Sequence, residues 1–68
     1  MNTEKIATKL KENRINKHLT LKELADILEC SESLPSMWEN KKRIPSDKQK
    51  IKLAELYNTT VGSLFYDE

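Results

Sequence analysis

The sequence predicts an all-α protein, a compact bundle of five short helices. Apolar residues recur at spacings of three and four along most of the chain, which is the period of a helix with one buried side. Hydroxyl residues able to cap a helix precede the apolar segments, and no alternating apolar–polar stretch is long enough for a strand. With 68 residues, 37% of them hydrophobic, the chain is expected to form a single domain over residues 1–68.

The second and third helices organise the sequence. Thr20 precedes Glu23 by three residues, the spacing of a capping box in which each side chain bonds the other's free backbone N–H. The third helix is expected after Ser31 as its N-cap. Pro35 then falls at the fourth helical position, so that this helix is either distorted in its first turn or begins nearer Leu34. The apolar side of the second helix is expected to comprise Leu24, Ala25, Ile27 and Leu28.

The other three helices are expected to form the scaffold. The first has Thr3 as its N-cap and ends near Asn16, the fourth begins after Ser46, and the fifth begins after Thr60. Left-handed turn residues are expected at Asn58 and at either Asn16 or His18. The predicted core residues of these helices are Ile6, Leu10, Ile51, Leu53, Ala54, Tyr57, Val61, Leu64 and Phe65. The residues predicted to face solvent on the fourth helix are Lys48, Lys50, Lys52 and Glu55.

Charge is unevenly distributed although the net charge is only +1. Residues 18–39 carry five anions and one cation, whereas residues 40–52 carry six cations and one anion. The basic segment follows the third helix directly, where lysine and arginine could neutralise phosphates. The alternative is that these cations only keep an ordinary surface soluble.

Composition argues against several classes of protein. The chain has one Cys, one His and one Gly, which excludes an internal disulfide and leaves no ligand set for a metal or glycine loop for a phosphate. We therefore expect no enzyme activity, no cofactor and no metal site. No stretch approaches the roughly 18 apolar residues of a membrane span, so we expect a cytoplasmic protein. Cys30 and Trp38 are expected in the core, and His18 in a solvent-facing turn.

Two short helices joined by a tight turn span residues 20–40, and the sequence Lys-Lys-Arg follows them at 41–43. This arrangement favours a helix-turn-helix, the motif that places its second helix against DNA.

Three sequence motifs carry a resemblance to a known family. They are LTLKELADIL, followed by a turn and an S-x-x-x-x-x-x-W-E-N run; the segment RIPS; and KLAELYNTTVGSLF. Together they resemble the Cro/repressor-type helix-turn-helix family, also called Xre-like or lambda-repressor-like DNA-binding domains, over nearly the whole chain. The resemblance implies that the third helix, at about residues 32–40, enters the major groove while the second lies across the backbone.

The resemblance also implies roles for individual residues. Base edges would be faced by Glu32, Ser33, Ser36 and Met37. Phosphates would be contacted by Lys22, Asn40, Lys41, Lys42 and Arg43. Arg14 and Glu39 would form a buried or half-buried ion pair between the first helix and the end of the third; the alternative is two unconnected surface charges.

The chain departs from the family pattern at Leu21, where a glutamine is common, at Glu29, where a glycine is common, and at Pro35, where a branched aliphatic is common. The reading surface lacks arginine, lysine, asparagine and glutamine, the residues that make bidentate contacts with purines. Serine can bond almost any base, Met37 can touch a thymine methyl, and Glu32 could accept from cytosine N4.

The leading hypothesis is a sequence-specific double-stranded DNA-binding transcriptional regulator, a repressor that occupies its operator. One small domain makes few phosphate contacts, which favours a homodimer on a palindromic operator with half-sites about 34 Å apart. Its candidate interface is Val61, Phe65 and Tyr66. The rival is a helix-turn-helix fold used for protein contact, as in an antirepressor or an antitoxin-like partner. The chain is compatible both with a complete small regulator and with the DNA-binding part of a longer one.

Overall fold

The computed structural model describes residues 2–66, and it is helical throughout with no strand in that range. The five helices are α1 (Thr3–Asn16), α2 (Leu21–Leu28), α3 (Ser33–Glu39), α4 (Asp47–Leu56) and α5 (Val61–Phe65). The prediction of an all-α bundle of five short helices is confirmed.

Reciprocal hydrogen bonds fix the starts of α2 and α4. The Glu23 N–H donates to Thr20 Oγ1 at 3.0 Å, and the Thr20 N–H donates to Glu23 Oε1 at 2.8 Å. These bonds stabilise the carboxylate, so the pKa of Glu23 lies below its usual value. Ser46 and Gln49 form the same arrangement at α4, with bonds of 3.0 and 3.3 Å. The capping box predicted at α2 is confirmed, and Ser46 and Thr60 cap α4 and α5 as expected.

Four helices end on a residue in the left-handed conformation that glycine normally occupies. These residues are His18, Glu29, Lys41 and Asn58, with φ between 55° and 64°. The N–H of each left-handed residue and the N–H of the residue after it bond carbonyls of the last helical turn. At α2 the Glu29 N–H donates to Asp26 O at 3.2 Å and the Cys30 N–H donates to Ala25 O at 3.0 Å. A side chain in this conformation costs on the order of 1 kcal/mol, which the satisfied carbonyls and the packing offset.

α1 packs against both α3 and α5, α2 packs on α3 and α4 on α5, and the core lies between the five helices. Trp38 is buried in this core as predicted, while Cys30 is only half-buried against it. The core cluster consists of Ile6, Leu10, Leu24, Leu28, Trp38, Leu53, Tyr57, Leu64 and Phe65. Lys9 Nζ donates to Ser63 O at 2.9 Å and thereby joins α1 to α5.

Three burial predictions on α2 and α4 are wrong. Ile27 and Ile51, both expected in the core, are 49% and 55% exposed. Lys50, expected in solvent, is only 6% exposed: its ammonium nitrogen lies 5.6 Å from the ring centroid of Phe65 and 5.2 Å from that of Tyr66, and it donates to Tyr66 Oη at 3.1 Å. A lysine can bury its methylenes in this way while its charge finds a polar partner.

Two helix starts and one proposed contact surface also differ from expectation. Asn2, not Thr3, caps α1, accepting from the Lys5 N–H at 3.1 Å. Glu32, not Ser31, precedes α3 and makes no capping bond. Phe65 is buried in the core, so it cannot belong to an exposed dimer interface.

Candidate nucleic-acid interface

Residues 29–32 form the tight turn between α2 and α3. The left-handed Glu29 ends α2, and the Leu34 N–H then bonds Ser31 O at 3.1 Å. The first i→i−4 bond of α3 runs from the Ser36 N–H to Glu32 O at 3.4 Å. Backbone hydrogen bonds therefore hold both the turn and the start of α3.

Pro35 fits into α3 without breaking it. It is the third residue of the helix, and the N–H groups of the first turn have no carbonyl partner inside a helix in any case. Its ring is almost fully buried, where the family commonly has a branched aliphatic side chain. Proline thus serves as a core residue and also restricts the start of α3.

An ion pair attaches the end of α3 to α1. Arg14 Nε donates to Glu39 Oε2 at 2.8 Å, and Arg14 Nη2 donates to Glu39 Oε1 at 3.0 Å. Arg14 Nη1 also donates to Leu19 O at 2.7 Å. The two side chains are only 13% and 8% exposed, and the hydrogen bond to Glu39 raises the pKa of Arg14. This bidentate contact fixes the direction of α3 relative to the bundle.

The hydroxyl of Tyr57 lies buried near this pair without a hydrogen-bond partner among the described residues. Burial and, to a smaller extent, the charge of Glu39 raise the pKa of Tyr57 to about 12, against the opposing charge of Arg14. This unpaired hydroxyl was not predictable, because a tyrosine in an apolar stripe predicts only core packing.

The outward side of α3 is uncharged. Leu34, Pro35 and Trp38 face the core. The helical period of 100° per residue places Ser33, Ser36, Met37 and Asn40 on the opposite side. Ser33 and Asn40 are exposed, and Ser36 and Met37 are partly exposed. Glu32 is exposed at the N-terminal end of the helix.

Short hydrogen bonds organise this surface. The hydroxyls of Ser31 and Ser33 are 2.7 Å apart. Asn40 Nδ2 donates to Ser36 O at 2.8 Å and lies 3.3 Å from Ser36 Oγ. Sequence reasoning treated each of these side chains separately, although the four-residue spacing of Ser36 and Asn40 is that of neighbours on a helix.

Cations cluster at the C-terminal end of α3. Lys41, Lys42 and Arg43 are all exposed, and the left-handed Lys41 turns the chain so that the Lys42 N–H bonds Met37 O at 2.9 Å. Since α3 has seven residues, a helix of roughly 10 Å lies between Glu32 at one end and these three cations at the other. Lys22, the remaining predicted phosphate contact, is exposed on α2.

The described chain offers little for other chemistry. Within residues 2–66 no group of three or more His, Cys, Asp or Glu side chains could hold a metal ion. Burial raises the pKa of the Cys30 thiol, an effect that Lys52 partly opposes. Over the same residues, every helix is too short or too polar to cross a membrane.

A bundle that presents α3 in this way defines a helix-turn-helix DNA-binding protein. A family model described as "Helix-turn-helix" matches residues 10–64, from within α1 to within α5. The chain belongs to this family, the Cro/repressor-type or Xre-like helix-turn-helix proteins, as its sequence resemblance predicted. No curated protein and no solved structure matches the chain. Its family is one of DNA-binding regulators, not of enzymes.

Proposed function

We propose that this protein is a transcriptional repressor that binds a specific double-stranded operator and blocks access to it, with α3 in the major groove. The observation that carries the proposal is the uncharged outward side of α3, which is followed directly by three exposed cations. A neutral polar surface can approach base edges without phosphate repulsion, while the adjacent cations fix the helix on the backbone.

Affinity is expected to come mainly from phosphate contacts by Lys22, Lys41, Lys42 and Arg43, all of them exposed. Base readout falls to Glu32, Ser33, Ser36 and Met37, of which only the serines can bond most bases. Glu32 opposes the approach of phosphate unless it accepts from a cytosine amino group. Sequence preference should therefore be modest at each base pair.

We also propose a homodimer on a palindromic operator, because one domain with about four phosphate contacts binds weakly at physiological salt. With Phe65 buried, the candidate contact surface reduces to the half-buried Val61 and the exposed Tyr66. Such a protein would act in the cytoplasm, where its DNA lies.

One observation favours the alternative of a protein-interaction module. Ile27 is half exposed on α2, and its neighbours in the sequence include the exposed anions Glu23, Asp26 and Glu29. An apolar side chain within an acidic surface suits a basic protein partner better than it suits a phosphate backbone.

Binding to duplexes selected from a random pool, measured at several salt concentrations, distinguishes the two functions. For a DNA-binding repressor, log affinity falls linearly with log salt. Lys42→Ala should weaken all sequences alike and reduce that slope by about 1, whereas Ser36→Ala should change the preference at one or two base pairs. Lys11→Ala, at an exposed position on α1, is the matched control and should leave the slope unchanged. Absence of site-selective binding even at low salt would overturn the proposal in favour of the protein-interaction module.

A further inference from the structure

Asn40 holds the hydroxyl of Ser36 on the outward side of α3. We propose that Asn40 is a positioning residue for base recognition: it fixes Ser36 Oγ as a hydrogen-bond donor, so that Ser36 selects a base with a major-groove acceptor and disfavours cytosine. This inference rests on the proposed function and names a specificity determinant within the same site.

The orientation of the Asn40 amide follows from its partners. Ser36 O is a carbonyl oxygen that can only accept, and it lies 2.8 Å from Asn40 Nδ2, so the nitrogen side of the amide must face it. The same nitrogen lies 3.3 Å from Ser36 Oγ, which gives its second hydrogen an acceptor. Both hydrogen bonds of the amide nitrogen are thus made to Ser36.

This geometry separates Asn40 from the cationic phosphate contacts beside it. A phosphate oxygen needs a donor, and Asn40 would have to leave Ser36 to supply one. The amide oxygen, Oδ1, is the part that stays free in this arrangement, and it would repel a phosphate. The resemblance to the family suggested a phosphate contact at this position; the hydrogen bonds favour a role through Ser36.

The bond from Asn40 changes what the Ser36 hydroxyl can do. One lone pair of Oγ accepts from Asn40, while the hydroxyl proton has no protein acceptor among residues 2–66. A hydroxyl that accepts a hydrogen bond is polarised and becomes a stronger donor. Ser36 therefore presents a proton to whatever lies opposite the outward side of α3.

The bases differ in how well they accept that proton. In the major groove guanine offers N7 and O6, adenine offers N7, and thymine offers O4, whereas cytosine offers only its amino donor. Ser36 should therefore disfavour cytosine at its base pair, and guanine, with two acceptors, should suit it best. Without Asn40 the hydroxyl would rotate freely and bond almost any base.

The test measures affinity for four duplexes that differ only at the base facing Ser36, which is the position where Ser36→Ala changes preference most. The wild-type protein should bind the cytosine duplex about three- to tenfold more weakly than the guanine duplex, the value of one net hydrogen bond. Asn40→Ala should remove most of this difference at the same base pair, and the Ser36→Ala/Asn40→Ala double variant should lose no more than either single variant. The salt dependence of Asn40→Ala should equal that of the wild type, and circular dichroism should confirm that it folds.

A different pattern would overturn the inference. If Asn40→Ala weakened all four duplexes equally and kept their order, as expected for the phosphate contact of Lys42→Ala, then Asn40 would bind the backbone. If the wild-type protein preferred cytosine at this position, Ser36 would be acting as an acceptor. If the wild-type protein showed no selective binding to any duplex, the proposed function itself would be contradicted. That result differs from the two described above, which concern only Asn40 and Ser36.

Discussion

Removing one partner of the ion pair between Arg14 and Glu39 should be among the most destabilising single substitutions in this small domain. Glu39→Gln keeps the shape of the side chain but removes its charge and places an amide N–H group against one of the guanidinium donors. Arg14 would then retain Leu19 O and one amide oxygen as acceptors, but no counter-charge.

The magnitude follows from the burial of the pair. Exposed ion pairs contribute about 0–1 kcal/mol, and removing one partner of a buried pair costs about 3–5 kcal/mol. With 13% and 8% of the two side chains exposed and two acceptors remaining to Arg14, we expect a loss of about 2–3 kcal/mol. The whole domain should have a free energy of unfolding of about 3–10 kcal/mol, so this loss is a large part of it. In a domain of this size each kcal/mol lowers the melting temperature by about 4–8 °C, and we expect a fall of about 10–20 °C.

Thermal and urea denaturation followed by circular dichroism at the helical band measure this loss. Glu12→Gln, at an exposed position on α1, is the matched control and should change stability by less than about 0.5 kcal/mol. The Arg14→Met/Glu39→Leu double variant should recover most of the loss, since apolar replacements leave no buried charge unpaired. If Glu39→Gln matched the control, the pair would be no stronger than a surface contact, and the assignment of α3's orientation to it would fail.

Four further predictions concern single groups. Tyr57→Phe removes a buried hydroxyl that has no partner, so it should raise the free energy of unfolding in urea by about 1 kcal/mol. The control Tyr66→Phe removes the acceptor of Lys50 and should lower the free energy of unfolding. If Tyr57→Phe were instead less stable than the wild type, the Tyr57 hydroxyl would have a partner. Because the pKa of Tyr57 is about 12 when folded and 10.0 when unfolded, the unfolded state loses its proton first. The free energy of unfolding should therefore fall between pH 10 and 12, and Tyr57→Phe should lack this contribution. If the wild type and Tyr57→Phe lost stability with pH in the same way, the raised pKa of Tyr57 would be refuted. Glu29→Gly relieves a left-handed side chain and should stabilise by about 0.5–1 kcal/mol, whereas Glu29→Ala should give no comparable gain; equal effects would mean that the backbone there is unstrained. Glu32→Gln should tighten DNA binding at low salt, and weaker binding would point instead to a contact with cytosine.

Local signals in the sequence were sufficient for the helix starts that depend on side chains nearby. Thr20 with Glu23 and Ser46 with Gln49 form their capping boxes because both partners lie within one helical turn. Family resemblance added the expected role of α3 and the pairing of Arg14 with Glu39, which no local pattern indicates.

Tertiary partners decided what local patterns could not. Lys50 was misplaced because the two rings that cover it belong to the end of α5, sixteen residues away in the case of Tyr66. Ile51 was misplaced with it, since the side of α4 that buries Lys50, Leu53 and Ala54 leaves Ile51 on the exposed side. At the candidate site, exposure and charge were readable from residue type. The bond between Asn40 and Ser36 depends on side-chain geometry.

The contact between Lys9 and Ser63 bears on where this domain can be cut. The segment that matches the family begins at residue 10, yet Ile6 and Ala7 are buried and Lys9 bonds a carbonyl of α5. A fragment trimmed to residues 10–64 would keep the entire candidate DNA surface but lose an isoleucine worth about 2–3 kcal/mol of burial. In this fragment α3 would be unchanged in sequence, but the core that supports it would be exposed where the first residues of α1 are missing. Fragments intended for binding studies should therefore retain the first helical turns of α1, whose contribution to recognition is entirely mechanical.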